Sequence, residues 1–195
     1  MADAPAHAIT RRTIEGDGLP LAVWEGRRNG PTVVLVHGYP DTHVVWNRVV
    51  ERLAGDFHCV VYDVRGAGES GVPAARAGYL LEHLRADLVA VLDAVAPTEP
   101  VHLVGHDWGS IQAWDAVVRA SSDPALSGRI TSYTTISGPC LEHVHEPGFV
   151  RIDPADGVGR LAGHPDRPIW SECRLHRVAV QGHVFLRRAV GRAQP

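Results

Sequence analysis

The chain contains no lysine; all 19 of its basic residues are arginine. That absence excludes Schiff-base and lysine general-base chemistry. Cysteine is scarce as well. Cys59, Cys140 and Cys173 are odd in number, far apart and without metal-ligand spacing, which excludes a disulfide framework and fits a reducing, intracellular setting. No sign of charge dominates: the formal net charge is −3 with 21% charged residues, so neither a nucleic-acid partner nor an anionic membrane is implied. The longest aliphatic run, "VVLV", is far too short to cross a bilayer. The opening "MADAPAHAITRR" lacks the apolar core of a signal peptide. A soluble, cytoplasmic chain is therefore expected. There is no G-x-S-x-G, which argues against a serine esterase. The twelve histidines show no paired ligand spacing, so no metal is expected.

What is present is an ordinary globular composition, 45% apolar over 195 residues, enough for one domain with a sizeable core. Two short strands at 9–15 and 20–25 flank the turn signal "GDGLP". "TVVLVHG" (32–38) and "HCVVYD" (58–63) are continuous apolar runs of the kind buried on both faces of a sheet. Between them, "DTHVVWNRVVERLAG" predicts a helix capped by Asp41 or Thr42, with Val45, Val49 and Leu53 on its apolar face and Gly55 as its stop. Residues 79–95 predict a second helix, with Leu80, Leu84, Leu88, Val91 and Val95 along one side and Pro97 beyond its end. "VHLVG" (101–105), "SIQAWDAVVRA" and "RITSYTTIS" (129–137) add a strand, a helix and a strand. The alternation predicts an α/β fold with a mostly parallel sheet over residues 1–138. Residues 139–195 lose this periodicity, and an irregular, loop-rich or disordered tail is expected there.

Catalytic groups of open parallel sheets gather at the carboxyl ends of the strands. Three predicted strands end in unusual sequences: "HGYP" (37–40), "DVRGAGES" (63–70) and "GHDWGS" (105–110). The last has the frame of a nucleophile elbow, with aspartate in the central position. Gly105 and Gly109 are the small flanking residues that so tight a turn requires. The turn places Asp107 at a helix N-terminus, whose dipole favours the ionised carboxylate. A plain N-cap is the alternative role for the same residue.

Together, "HGYPDTHVVW", "DVRGAGES" and "GHDWGS" resemble the α/β-hydrolase superfamily, in its epoxide hydrolase and haloalkane dehalogenase branch. The resemblance covers roughly residues 10–140. It implies that Asp107 is a nucleophile that attacks carbon and forms an alkyl-enzyme ester, which water activated by a histidine then hydrolyses. By position, the backbone N–H groups of Tyr39 and Trp108 form the oxyanion hole. His37, Gly38 and Pro40 shape the first turn, with His37 structural; Trp46 packs near the pocket or in the core. An aromatic Tyr39, where dehalogenases carry asparagine, favours an epoxide over a haloalkane. The expected partner is a small apolar epoxide, with no cofactor.

"GAGESG" (66–71) also matches a dinucleotide-binding pattern, but Pro73 and Gly78 prevent a helix from opening on it. The resemblance instead makes Asp63, Arg65 and Ser70 the residues that hold this loop. It also calls for a helical cap, an acid and a late histidine. Two more strand–helix units would take roughly 60 residues, leaving no room for a cap after Ser137. "QGHVFL" makes His183 the candidate base, while Asp153, Asp156 and Asp166 offer no preferred acid; Tyr133 and Tyr79 are placed as structural. The arginine- and histidine-rich tail is what a shifted reading frame of a GC-rich gene would encode. The expectation is therefore a truncated or frame-altered enzyme front, whose lost part could include a dehydrogenase domain and whose uncovered apolar surface would self-associate. A haloalkane dehalogenase and a non-catalytic small-molecule-binding module stand as the other readings.

Overall fold

Valines and leucines alternating between two packed faces build the centre of the molecule. The computed structural model describes residues 9–138 and the backbone of 151–152, 159–160 and 178–180. β3 (Thr32–Val36) and β4 (His58–Tyr62) are buried along their whole length. Val34, Val36, Val60 and Tyr62 point into one core, and Val33, Leu35, Cys59 and Val61 into the other. This is the period-two geometry of a strand covered on both sides, each buried aliphatic side chain contributing about 1.5–3 kcal/mol.

β1 (Thr10–Glu15) and β2 (Pro20–Glu25) form an antiparallel hairpin at one edge, and β2 joins β4 antiparallel. β5 (Val101–His106) and β6 (Ile130–Ile136) run parallel to β3 and β4. Two-residue β7 (Arg151–Ile152) and β8 (Gly159–Arg160) pair with each other, while β9 (Val178–Val180) lies parallel to β6. The sheet order is β1-β2-β4-β3-β5-β6-β9. The mostly parallel α/β sheet expected from the alternation is thus observed. Apart from β7, β8 and β9, the tail expected over 139–195 lies outside the described residues.

α1 (Asn47–Leu53) covers one face of the sheet; α2 (Leu81–Val95) and α3 (Trp108–Arg119) cover the other. Two expected helix faces are corrected. Thr42 caps a 3₁₀ turn over His43–Trp46, not an α-helix, and the tighter turn rotates α1 relative to an unbroken helix. The buried face is therefore Trp46, Val50 and Leu53, while Val45 is 42% exposed. Likewise a 3₁₀ turn over Arg76–Tyr79 precedes α2, and Leu80 is extended, with φ −65° and ψ 151°. Leu80 therefore faces solvent and Leu92 joins Leu88, Val91 and Val95 in the core.

The C-terminus of α2 has no basic residue of its own in its last turn. Arginines from three other segments supply the donors: Arg12 to Ala94 O (2.8 Å), Arg28 to Val95 O (2.8 Å) and Arg129 to Ala96 O (3.2 Å). They neutralise the negative helix end and satisfy its last carbonyls. Nearer the site end, Arg65 makes two hydrogen bonds to Asp87 on α2, Nε–Oδ2 2.7 Å and NH2–Oδ1 2.8 Å, with both side chains 2% exposed. Asp87→Ala removes both buried hydrogen bonds and leaves the guanidinium only the partly exposed Asp17 carboxylate at 3.7 Å, and should destabilise the fold by about 3–5 kcal/mol. Urea denaturation is the check; a loss near 1 kcal/mol, typical of an exposed pair, would contradict this assignment.

Candidate active site

The register brings three turns to one level. Val36 lies opposite Tyr62 of β4 and Gly105 of β5, so His37, Asp63 and His106 leave the sheet side by side. Between β5 and α3 there is a single residue, Asp107. α3 accordingly begins two residues before the predicted "SIQAWDAVVRA". Asp107 has φ 54° and ψ −125°, a backbone state that costs a non-glycine residue on the order of 1–3 kcal/mol and persists only where its surroundings impose it.

Those surroundings are specific. The Asp107 N–H donates to Ile136 O of β6 (2.9 Å), and Asp107 O accepts from the N–H groups of Ser110 (2.9 Å) and Ile111 (3.2 Å). The fully buried Ser110 hydroxyl donates to Gly105 O (2.6 Å) and accepts the Ile136 N–H (3.1 Å). Gly109 lets α3 pass over β3, since a Cβ there would collide with the Val36 carbonyl and stand 2.5 Å from His37 O. Gly38 clears space for the carboxylate, because its Cβ would lie 2.5 Å from Asp107 Oδ1.

An ordinary N-cap would accept from the first-turn N–H groups of its helix. Asp107 makes no side-chain cap bond. Its Oδ1 accepts the Tyr39 N–H from the neighbouring turn at 3.1 Å. The Trp108 N–H is the first of α3, among those with no acceptor inside the helix. Of the two backbone donors expected to act together, the Tyr39 N–H therefore touches the carboxylate, and the Trp108 N–H is the first amide of α3. The Tyr39 and Trp108 side chains are 78% and 58% exposed. The Tyr39–Pro40 peptide is cis.

His37 is 2% exposed, with both ring nitrogens engaged. Nδ1 lies 2.8 Å from Gly38 O and Nε2 accepts the Val64 N–H at 2.9 Å. A carbonyl accepts and an amide donates, so the ring is neutral with its proton on Nδ1. Desolvation is the main cause that lowers its pKa below the ordinary 6.5. The ring is a strut between the first two turns with no nitrogen left for acid–base work.

The second turn is held as the resemblance implied, with partners that spacing alone does not reveal. Asp63, fully buried, accepts from the His43 N–H (2.7 Å), His43 Nδ1 (2.8 Å) and the Glu69 N–H (2.8 Å). The Ser70 hydroxyl donates to Asp63 O (2.6 Å) and accepts the Ala22 N–H (2.9 Å). The His43 ring stacks on Trp24 with centroids 3.4 Å apart. His43 escaped sequence reasoning, because its acceptor lies 20 positions away with no motif linking them. The glycine loop 66–71 closes on the Asp63 carboxylate. A Cβ on Gly68 would strike the Asp63 carboxylate, and the Glu69 N–H already serves that carboxylate.

Trp46 is core, at 4% exposure. Tyr133 is fully buried and its hydroxyl donates to Ser110 O at 2.8 Å. Tyr79 packs against Gly66. His183, Asp153, Asp156 and Asp166 lie outside the described residues. Among the described residues no group of three His, Cys, Asp or Glu could hold a metal, and no helix is long and apolar enough to cross a membrane.

Known proteins are similar to this chain in sequence and fold. A family model described as alpha/beta hydrolase fold matches residues 31–168. The "Probable oxidoreductase EphD" of Mycobacterium tuberculosis is 46% identical over 142 residues, 72% of this chain and 23% of that protein. Epoxide hydrolase A of the same organism is 35% identical over 143 residues, covering 72% and 42%. The crystal structure of epoxide hydrolase VrEH1 from Vigna radiata superposes with a TM-score of 0.61 at 27% identity, over 78% of this chain and 44% of that one. Epoxide Hydrolase A from Mycobacterium thermoresistibile gives 0.58 at 30% identity, over 66% and 39%. The chain thus spans less than half the length of these relatives.

Histidines whose pKa burial lowers make stability depend on pH in a definite sense. Burial lowers the pKa of His37, His58 and His102 below 6.5. The unfolded chain therefore binds more protons than the folded one below about pH 6.5. Their contribution should be complete above that value and be lost as pH falls through it toward the folded pKa. Urea midpoints should stay level from about pH 8 to 6.5 and drop by about pH 5. A level profile over that whole range would refute the lowered pKa of these three histidines.

Proposed function

Because the chain belongs to the alpha/beta hydrolase fold family, we propose that it bears the nucleophile half of an epoxide-hydrolase site, with Asp107 as the attacking group. The observation that supports this most is the strained Asp107 turn, whose carboxylate leaves its own helix uncapped and rests on the Tyr39 N–H. A residue held so, with its carboxylate on the N–H of the neighbouring turn, supports the nucleophile reading over the cap.

In the proposed first step, an Asp107 oxygen attacks a ring carbon of the epoxide. The carbon–oxygen bond of the ring breaks, and the freed oxygen takes a proton from solvent water to become a hydroxyl, giving a hydroxyalkyl ester and hydroxide. In the second, water attacks the ester carbonyl. The developing oxyanion is met by the Tyr39 and Trp108 N–H groups, preorganised donors of a kind worth about 10²–10³ in rate. Collapse releases a diol and restores the carboxylate. By the family resemblance, His183 is the proposed acceptor of the water's proton, which it returns to the departing alkoxide as the intermediate collapses. The substrate class is a small apolar epoxide, consistent with the exposed Tyr39 and Trp108 rings beside the carboxylate and with relatives named epoxide hydrolase.

The test is intact-protein and peptide mass spectrometry of the full chain after exposure to styrene oxide. The expected result is a mass increase of one epoxide on the peptide that contains Asp107, absent in Asp107→Asn. In wild type the adduct decays to diol, and His183→Ala should prolong it by at least about 10²-fold. Labelling that is equal in Asp107→Asn would sink the nucleophile assignment. Undiminished ligand binding by that variant, with no labelling of wild type either, would favour the binding module, and halide release from a haloalkane would favour the dehalogenase.

A further inference from the structure

The segment that carries the Tyr39 N–H is pinned at both ends to two consecutive residues of the second turn. At its start, His37 Nε2 accepts the Val64 N–H at 2.9 Å. At its end, the His43 N–H (2.7 Å) and the His43 ring Nδ1 (2.8 Å) meet the same oxygen, Asp63 Oδ1. A carboxylate oxygen accepts, so the ring proton sits on Nδ1. Asp63 is fully buried and the His43 ring largely so, which strengthens this charge-assisted bond relative to one in water. Apolar packing does little to hold the residues between and beyond the anchors, since Tyr39, Val44 and Val45 are all exposed. Among the described residues, the Tyr39 N–H is the group between the two anchors that bonds to another turn, 3.1 Å from Asp107 Oδ1.

We propose that His43 is a positioning residue of the site. Through its Nδ1–H on Asp63 it sets where the Tyr39 N–H stands, and so how well that N–H meets the oxyanion during ester hydrolysis. His37 cannot do this alone, because a loop fixed at one end swings about that end. The His43 main-chain N–H fixes a point, and the ring adds a second bond to the same oxygen and thereby a direction. Trp24 on β2 backs the imidazole, stacked with centroids 3.4 Å apart and 16° between the planes, which keeps the ring turned toward Asp63. The competing role for His43 is that stack itself, with the hydrogen bond incidental. The catalytic half of this inference rests on the epoxide-hydrolase reading; the anchoring of the loop does not.

Two variants of the full-length chain separate donor from stack. His43→Phe keeps a ring on Trp24 and loses the donor, whereas His43→Asn loses the stack and keeps an N–H donor near the Nδ1 position. Should His43→Phe fail to fold, His43→Ala set against His43→Asn makes the same comparison. In the first arm, hydrogen exchange is followed on protein 15N-labelled at its four tyrosines, the Tyr39 signal being assigned by its loss in Tyr39→Phe. Exchange of the Tyr39 N–H should be about tenfold faster in His43→Phe and within about twofold of wild type in His43→Asn. In the second arm, formation and decay of the styrene oxide adduct are timed separately. His43→Phe should slow decay about tenfold and His43→Asn by less than about twofold, with formation nearly unchanged in both, because only decay builds charge on the oxyanion. If His43→Asn is the more impaired of the two, the stack is what matters and the proposal is overturned. Equal slowing of formation and decay overturns the link to the oxyanion. If wild type forms no adduct, the epoxide-hydrolase reading fails and takes the catalytic half with it, while the exchange arm still decides the anchoring.

Discussion

The hydrogen bond from the Asp107 N–H to Ile136 O joins a turn that would not hold its shape alone to the end of the next strand. The rest of the site depends on that anchoring. A residue at φ 54° relaxes unless its N–H, its carbonyl and the following helix are all held. Here β6 holds the first, the opening turn of α3 holds the second, and the Ser110 hydroxyl bridges β5 and β6 beneath them. The result is a carboxylate whose direction is set by backbone connectivity, independent of its own side-chain contacts.

Buried polar groups do the corresponding work around the other two turns. His37 links the first to the second through one carbonyl and one amide, and Asp63 gathers three donors into the second. Arg65 then fastens that turn to α2 through Asp87. Each of these groups would be a liability in an apolar interior if unpaired. Paired, they define the distances between segments more sharply than aliphatic packing does, since a hydrogen bond tolerates only a few tenths of an ångström. At the opposite end of α2, arginines capping three successive carbonyls are the structural counterpart of a chain without lysine, because a planar fork can serve a carboxylate and a carbonyl together.

The strands were legible because burial on both faces demands the unbroken runs "TVVLV" and "HCVVY", which few other structures use. The site was legible for a related reason: a one-residue turn admits only glycine at its flanks, so "GHDWG" announces its geometry. The apolar face of α1 was not. It depends on whether the first turn is 3₁₀ or α, a choice made by Thr42 and by tertiary packing, and it moves the buried positions from Val45 and Val49 to Trp46 and Val50. Leu80 was misplaced for a similar reason, since helical spacing carries no warning that a residue is extended. The His43–Asp63 and Arg65–Asp87 pairs were hidden because their partners come from distant segments, and only the sheet register brings them together.

The division of labour at Asp107 bears on how such a site can change over generations. Its strain is carried by main-chain bonds, and its side chain does not cap the helix. A mutation at this codon therefore exchanges the presented side chain while leaving the holder intact. Another short side chain would be presented at the same spot, beside the same Tyr39 N–H. The fold thus separates two kinds of inheritance: the glycines, Ser110 and the β6 contact preserve the mount, and one interchangeable position sets which group the mount displays.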